Sequence, residues 1–318
     1  MAVKEQVIEE EYAIYNGDCI EVLETLPDES VDLSVYSPPF CGLYNYSSDP
    51  RDMSNNGYTE FFEHYMFLLE HISRVTKAGR VTTVHCMDIP AQGARIGGLI
   101  DFPGDIIQAH KKVGFKYWTR RNIWKEPLRI RNRTMSKGLA HKTIVEDSLD
   151  SNIAGADYLL QFRKKGKSIV PVTHTDGFLS YAGCTPMPPD AVKYRGYMGD
   201  QIKNKFSHWI WQQYASSDWN DVRPKEVLPY KASKEPEDEQ HVHPLQLDII
   251  ERAVALWSNP GEVVLSPFMG IGSEIFVAVK NKRKGIGIEL KTSYFQQACR
   301  NLKKAVLEAA KQEQGMLF

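Results

Sequence analysis

The segment Ser37-Pro38-Pro39-Phe40 places a small hydroxyl, two rigid residues and an aromatic ring at the end of an apolar run. Each proline fixes φ near about −65°, lacks an N–H and makes the residue before it extended. The Ser37 hydroxyl and the Pro38 carbonyl can therefore form a fixed pair of hydrogen-bond acceptors, and Phe40 offers a flat apolar face. Such a site suits a planar amine on an aromatic ring, for example the exocyclic amine of a nucleobase.

This amine is a poor nucleophile because its lone pair is delocalised into the ring. Two acceptors that bind its hydrogens favour a pyramidal nitrogen, and a stacked aromatic ring holds the base with about 1–3 kcal/mol. Positioning then supplies most of the catalysis of a group transfer to this nitrogen, and no tuned general base is required. A base in a duplex must leave the helix to reach such a site. The alternative interpretation is a tight turn with a core phenylalanine.

A second segment, 267–272 (PFMGIG), has the pattern of a ligand-binding loop between a strand and a helix. Gly270 and Gly272 let the backbone approach a ligand, and the start of the next helix favours polar or anionic groups. Glu289, at the end of the following strand, can accept hydrogen bonds from ribose hydroxyls. Ile275 replaces the third glycine of a dinucleotide motif, and no P-loop lysine occurs. A nucleoside with a short polar tail, such as S-adenosylmethionine, fits this pattern; a tight strand-to-helix turn is the alternative.

Alternating strands and helices position both segments. Apolar periodicity predicts strands over 12–18, 31–36, 80–86, 262–266 and 285–289, and helices over 19–26, 58–77, 244–258, 273–282 and 292–313. Ala78-Gly79 is predicted to end the helix over 58–77. The alternation predicts an α/β fold with a doubly wound, mostly parallel sheet. The catalytic interpretation requires Ser37 and the Gly270–Gly272 turn on the same side of that sheet.

The middle of the chain has a different texture, with clustered positive charges and frequent Gly, Pro, Trp and Tyr. We predict that residues 1–124 form a catalytic half, 125–240 an inserted target-recognition region and 241–318 a cofactor-binding half. The charged, proline-interrupted stretch 231–240 is typical of a linker or exposed loop.

A basic stretch, residues 116–142, contains nine Lys or Arg and one Glu, with Trp118 and Trp124 among them. The whole chain has a net charge of −1, so affinity for nucleic acid must come from a local patch of this kind. The density predicts contact with DNA phosphates, and the alternative is a solvated face. The candidates are Arg120, Arg121, Arg129, Arg131, Arg133 and Lys137.

The order of these segments resembles the amino-group DNA methyltransferases, and in particular the permuted order in which Ser-Pro-Pro-Phe precedes the cofactor motif. It is similar to phage and prophage DNA methylases. The resemblance is carried by GDCIEVLETLPDESVDLSVYSPPF, DFPGDII, RNIWKEP, DYLLQFRKKG and HVHPLQLDIIERAVALWSNPGEVVLSPFMGIGSEIFVAV. It implies a Rossmann-like methyltransferase fold, S-adenosylmethionine as cofactor and double-stranded DNA as partner. It leaves open a homodimer and a cognate restriction endonuclease.

The resemblance also implies a role for each matching residue. Ser37, Pro38, Pro39 and Phe40 would hold the target base, and Phe268, Gly270 and Gly272 would line the methionine end of the cofactor. Glu289 would bind the ribose, and Asp18 would lie near the adenine; an N-cap for helix 19–26 is the alternative for Asp18. Two departures stand out. Ser266 replaces the family aspartate and removes a carboxylate for the cofactor's ammonium group, and Leu245-Gln246 replaces a Lys-Pro pair in the segment that opens the pocket.

The target base is predicted from the first residue of the Ser-Pro-Pro-Phe segment. Serine there resembles the cytosine-N4 enzymes, whereas Asp or Asn resembles the adenine-N6 enzymes, so cytosine N4 is preferred and adenine N6 is the alternative. Methylation of cytosine at carbon 5 needs a cysteine nucleophile preceded by proline. Cys41 follows Phe40, so this reaction is rejected. Methylation of RNA or of a protein amide is a second enzymatic interpretation. A DNA-binding protein that keeps the fold without the reaction is an alternative of another class, for which Ser266 is the argument.

Composition and termini bound the remaining possibilities. Hydrophobic residues make up 42% of the chain, no apolar run reaches the length of a membrane span, and the start is acidic where a signal peptide is basic. The five cysteines are scattered without a C-x-x-C pattern, which suits the cytoplasm. His241-x-His243 has no third ligand nearby, so no metal is expected.

Overall fold

The computed structural model describes residues 3–40, 49, 51–90, 98–134, 137–151, 155–230, 233 and 244–315. The strands are β1 (Glu5–Ile8), β2 (Tyr12–Asn16), β3 (Val31–Tyr36), β4 (Thr76–Met87), β5 (Ile89–Pro90), β6 (Leu99–Ile100), β7 (Phe115–Ile123), β8 (Asp157–Lys164), β9 (Asp218–Trp219), β10 (Val263–Ser266) and β11 (Lys284–Glu289). Nine of them form one sheet in the order β1-β2-β11-β10-β3-β4-β8-β7-β9, and β5 pairs with β6 in a separate hairpin.

Two helical layers cover this sheet. The helices are α1 (Cys19–Thr25), α2 (Tyr58–Val75), α3 (Phe102–Lys112), α4 (Pro127–Thr134), α5 (His141–Glu146), α6 (Pro189–Val192), α7 (Lys205–Ala215), α8 (Leu247–Trp257), α9 (Ser273–Lys280) and α10 (Thr292–Gly315). Helices α1, α2 and α3 bury their apolar stripes in one hydrophobic cluster, which also contains Tyr36 and Val84 of the sheet. Helices α8, α9 and α10 share a second cluster with Leu33 and Val264. The predicted doubly wound α/β fold is confirmed.

The central strands β2, β11, β10, β3 and β4 are parallel neighbours. From β10 the chain crosses through α9 to β11, whereas from β3 it crosses through α2 to β4, so the connections leave toward opposite faces. The boundary between β10 and β3 is therefore the topological switch point, where doubly wound sheets open a crevice at the carboxyl ends of their strands. Ser37 and Pro267 are the first residues beyond these two strands.

The end of α2 differs from the prediction. The helix stops at Val75, and β4 begins at Thr76, so the predicted stop at Ala78-Gly79 is wrong. Gly79 instead lies within β4 with φ +72°, and a Cβ there would stand 2.3 Å from the backbone nitrogen of Ser168. The glycine marks a close approach of two chain segments, which a sequence pattern does not distinguish from a helix terminus.

The middle segment contributes strands to the main sheet. Strand β8 pairs antiparallel with β4 along its length, with Asp157 opposite Met87, and β9 pairs with β7. Other parts of the segment build a small cluster of their own around Phe178, Phe206 and Tyr214. Residues 125–240 are therefore interwoven with the sheet rather than a separate folded unit, and the functional division into three parts stays a prediction.

Several predictions fall outside the described residues: the linker 231–240 apart from Ser233, the His241/His243 pair, and Cys41. Among the helices that the structure describes, none combines the length and the apolar character needed to cross a bilayer.

Candidate active site

A cavity of about 850 Å³ opens at the switch point of the sheet. Ser37, after β3, and the loop after β10 both line it, so the two predicted segments lie on the same side of the sheet. The predicted site residues that line the cavity are Asp18, Ser37, Pro38, Pro39, Phe40, Arg129, Phe268, Gly270 and Glu289. The cavity wall does not include Ser266, Gly272, Arg120, Arg121, Arg131 or Lys137.

Ser37 is connected to a buried histidine and carboxylate that sequence reasoning missed. Its Oγ lies 3.1 Å from the carbonyl oxygen and 3.3 Å from Nδ1 of His85, which lies on β4, the strand next to β3. His85 Nε2 lies 3.0 Å from Oδ2 of Asp157, the first residue of β8. A carboxylate only accepts hydrogen bonds, so Asp157 keeps the proton of a neutral His85 on Nε2. Nδ1 is then a second acceptor for the single Ser37 hydroxyl hydrogen, beside the His85 carbonyl oxygen to which Ser37 donates, and the serine oxygen keeps lone pairs for a substrate.

Lys125 completes this network from the basic segment. Its Nζ lies 3.0 Å from Oδ2 of Asp157 and 3.2 Å from Oε1 of Gln246, to which it donates a hydrogen bond. The Asp157 side chain is only 1% exposed, so its charge needs the partners that His85 and Lys125 provide. Pro244, Leu245 and Gln246, from the segment predicted to open the pocket, also line the cavity.

Phe40 serves the core as well as the cavity wall. Its side chain is buried in the cluster under α2 and α3, with its ring centroid 6.1 Å from that of Phe102. Phe40 can therefore be a core residue and still present part of its ring to the cavity.

The glycine loop and Glu289 are joined by a hydrogen bond. Gly270 and Gly272 have φ +52° and +85°, and Gly272 caps α9, which allows the sharp turn into the helix. The backbone N–H groups of Gly270 and Lys291 donate to the two oxygens of Glu289 over 2.9 and 2.8 Å. Burial raises the pKa of Glu289 to about 7, and these hydrogen bonds oppose the shift. Each carboxylate oxygen keeps an acceptor site for a hydroxyl group.

Asp18 is the N-cap of α1 and also lines the cavity, and its place near the cofactor adenine stays a prediction. Its Oδ1 accepts hydrogen bonds from the N–H groups of Ile20 and Glu21 at 2.8 and 3.3 Å, so it is the N-cap of α1. The same residue lines the cavity, where the cap fixes its orientation.

Around the start of α9, two serine hydroxyls lack hydrogen-bond partners in the described part of the chain. The Oγ atoms of Ser266 and Ser273 are buried and have no hydrogen-bond partner among the described residues. Ser266 lies behind the wall, whereas Ser273 and Glu274 line the cavity. Glu274 was not predicted, and its only signal was its place directly after the glycine loop.

Helix α4 brings part of the basic segment to the cavity mouth. The carboxylate of Glu126 accepts hydrogen bonds from the N–H groups of Leu128 and Arg129, and Pro127 stands at the first helical position, so the helix start is well defined. Arg129 and Asn132 line the cavity, and Arg131 and Lys137 are exposed nearby in the sequence.

The other predicted phosphate contacts differ in environment. Arg120 is exposed, with its guanidinium 5.2 Å from the Tyr158 ring centroid. The guanidinium of Arg121 lies 5.5 and 5.0 Å from the rings of Trp219 and Trp257, and burial lowers its pKa. Arg121 is thus engaged in packing, and its phosphate contact gains no support from this geometry. The side chain of Arg133 lies outside the described residues.

The sheet order and the cavity at its switch point define a Rossmann-like methyltransferase fold. The model of the DNA methylase family, which groups N6 and N4 methyltransferases, matches residues 31–300, and the chain belongs to this family.

Curated relatives match along most of the chain. The Type II methyltransferase M.BamHI of Bacillus amyloliquefaciens is 26% identical over 278 residues, which cover 87% of this chain and 54% of the relative. The Type II methyltransferase M.BglII of Bacillus subtilis is 24% identical over 284 residues, which cover 88% and 66%. The chain therefore spans between half and two thirds of the length of these relatives.

Solved structures share the fold. The cytosine-N4-specific PvuII DNA methyltransferase superposes with a TM-score of 0.61 at 15% identity, over 97% of this chain and 95% of that chain. TTHA0409 of Thermus thermophilus, complexed with S-adenosyl-L-methionine, gives a TM-score of 0.58 at 20% identity, over 91% and 94%.

Proposed function

We propose that this protein transfers a methyl group from S-adenosylmethionine to the exocyclic amine of a base flipped out of double-stranded DNA, with cytosine N4 as the target. The observation that carries the proposal is the shared cavity. The Ser37 acceptor and the Gly270–Glu289 nucleoside-binding pair line one cavity of about 850 Å³, so a donor and an amine can meet there.

The residues of the glycine-loop side fit S-adenosylmethionine. Glu289 offers acceptor sites to ribose hydroxyls, and a Cβ placed on Gly270 would meet no described atom within 4 Å, so the loop leaves room for a ligand. Phe268 adds an apolar wall, and the TTHA0409 complex holds the same molecule on a similar fold. The bound cofactor supplies an electrophilic methyl group; the chain has to position it.

The residues on the Ser37 side of the cavity fit an amine. Ser37 Oγ and the Pro38 carbonyl accept its two hydrogens and favour a localised lone pair on nitrogen. After transfer the nitrogen is cationic and acidic, and its proton passes to Ser37 Oγ while the Ser37 proton passes to Nδ1 of His85. Asp157 stabilises the imidazolium that forms.

The preference for cytosine rests on Ser37, because a neutral hydroxyl can donate as well as accept beside the cytosine N3 and amine. The similar fold of the cytosine-N4-specific PvuII enzyme agrees with it. Adenine N6 is the second candidate, since the DNA adenine methyltransferase YhdJ of Escherichia coli is 39% identical over 67 residues, or 20% of this chain.

Nucleoside analysis after methylation with labelled S-adenosylmethionine tests the proposal. DNA incubated with the protein should yield N4-methylcytosine, and RNA of the same sequence should stay unlabelled. N6-methyladenine would establish the second candidate. Cofactor and DNA binding without incorporation of label would favour a DNA-binding protein that has lost the reaction.

We assign the DNA-facing surface to α4 and the exposed cations near it. Arg129→Gln and Arg131→Gln should each make the negative slope of log affinity against log salt shallower by about 0.9, because each removes one proposed phosphate contact. Titration of labelled duplex DNA at several salt concentrations measures the slopes. Lys304→Gln, the same charge change on α10, is the matched control. If neither Arg129→Gln nor Arg131→Gln changed the slope relative to Lys304→Gln, α4 would not bind phosphates.

Phe40 is expected to hold the target base. Phe40→Leu should lower kcat/KM for DNA about 5- to 50-fold by removing part of the stacking energy, while the Kd of S-adenosylmethionine stays unchanged. Steady-state kinetics and calorimetry measure the two quantities. Phe102→Leu is the control, because Phe102 packs on Phe40 and is buried behind the cavity wall. Equal losses in both variants would show that Phe40 contributes only packing.

A further inference from the structure

Glu274 is a buried carboxylate at the cavity with no described cationic partner. The residue is 4% exposed, lines the cavity and stands in the first turn of α9. Among the residues that the structure describes, no Lys, Arg or His forms an ion pair with it. Burial raises its pKa to about 8, and the neighbouring charge of Glu289 adds to the shift.

Of the five Lys and Arg residues in the described cavity wall, three are engaged elsewhere, and Arg129 and Lys225 do not act on the pKa of Glu274. Lys125 pairs with Asp157, Arg51 pairs with Asp49, and the Lys291 ammonium lies 4.9 Å from the Tyr294 ring centroid. Lys291 acts on the pKa of Glu289 but not on that of Glu274. A buried carboxylate without a counter-charge is costly, so a positive group of a ligand is the partner that this position lacks.

We infer that Glu274 binds the ammonium group of the amino-acid part of S-adenosylmethionine. The inference rests on the proposed function, which supplies the ligand. Of the two positive groups in that molecule, the ammonium has N–H donors that a carboxylate can accept, whereas the sulfonium has none. The other carboxylates of this part of the cavity already accept backbone hydrogen bonds: Glu289 and Asp18 accept two each, and Asp52 accepts one. Glu289 suits neutral hydroxyls. Ser266, at the end of β10, offers a buried hydroxyl and no charge.

Three ligands separate the positive groups. S-Adenosylmethionine carries ammonium and sulfonium, S-adenosylhomocysteine carries only the ammonium, and methylthioadenosine carries neither. Glu274→Gln should weaken binding of the first two about 10- to 100-fold, the loss of one charge-assisted hydrogen bond, and leave methylthioadenosine unchanged. Isothermal titration calorimetry without DNA measures all three, so the result does not depend on methylation.

Glu289→Gln is the matched control, because all three ligands contain the ribose. It should weaken all three to a similar degree. If Glu274→Gln weakened binding of S-adenosylmethionine alone, the carboxylate would be assigned to the sulfonium. If it affected all three ligands equally, or none of them, Glu274 would be a structural residue. Either result overturns the inference.

The wild-type protein separates this inference from the proposed function. If the wild type binds S-adenosylmethionine and Glu274→Gln binds it with the same affinity, only the role of Glu274 is overturned. If the wild type does not bind it, the proposed function itself is overturned. The ligand-free variant should melt no lower than the wild type at pH 8.5, since glutamine removes an ionised buried group whose folded-state pKa is raised. A lower melting temperature would instead indicate structural damage, and Glu274→Asp, which keeps the charge, should then retain the preference for ligands with an ammonium.

Discussion

Ser37→Ala is expected to lower kcat for DNA methylation about 10²- to 10³-fold, the usual effect of deleting one preorganised polar contact to a transition state. The hydroxyl lies between the substrate side of the cavity and His85, with its oxygen 3.3 Å from Nδ1. Alanine leaves the backbone and the two prolines in place. The Kd values of S-adenosylmethionine and DNA should therefore stay close to those of the wild type, so that the whole loss appears in single-turnover methylation.

Ser34→Ala is the control for this substitution. Ser34 lies three residues earlier, on β3, and its Oγ is buried without a described hydrogen-bond partner and away from the cavity wall. It should keep the activity of the wild type. If Ser37→Ala were as active as Ser34→Ala, the Ser-Pro-Pro-Phe segment would be a structural turn, and methylation would have to occur elsewhere in the cavity.

The two segments that carry the proposal could be predicted because each is continuous in sequence. Proline rigidity and glycine freedom act over a few residues, and the alternation of strands and helices places the carboxyl ends of β3 and β10 side by side. Ser37 and Gly270 therefore line one cavity on the same side of the sheet, as the catalytic interpretation requires. The family predicted from these segments is confirmed by the family model.

The network behind Ser37 could not be predicted in full. His85 lies near the end of a strand next to β3, and the rule for carboxyl ends would have indicated it. Asp157 begins β8, which runs antiparallel to β4 and reaches the cavity with its first residue. That pairing depends on tertiary packing and has no local sequence signal, and the same holds for Lys125, which joins them from the basic segment.

The basic segment shows a second limit of sequence reasoning. Charge density predicts a surface but does not say which side chains face it. Arg120 and Arg121 are adjacent on β7, so they point to opposite faces of the sheet, and only Arg120 is exposed. Arg121 packs between Trp219 and Trp257 because those aromatic faces accept a planar cation, a partnership that forms only in the folded chain.

Asp157→Asn is expected to lower kcat about 10²-fold or more, although Asp157 is a positioning residue behind Ser37. The amide cannot balance the Lys125 charge while it accepts the Nε2 proton of His85, because it has one oxygen and no charge. His85 can then carry its proton on Nδ1, which removes the acceptor for the Ser37 proton. The ¹⁵N shifts of the His85 ring should report this change of tautomer, and a purely structural role would not produce it.

Two comparisons separate catalysis from stability in this variant. Asp88→Asn, at a carboxylate that accepts a hydrogen bond from Tyr158 over 3.3 Å outside the cavity wall, should keep its activity. In the double variant Asp157→Asn with Lys125→Gln, no lysine charge is left unpaired, so the melting temperature should recover while kcat stays low. Recovery of kcat together with stability would mean that Asp157 only neutralises Lys125, and the relay through His85 would then have to be abandoned. Low activity in a restored fold would show that Asp157 acts on Ser37 through His85 and not only by neutralising Lys125.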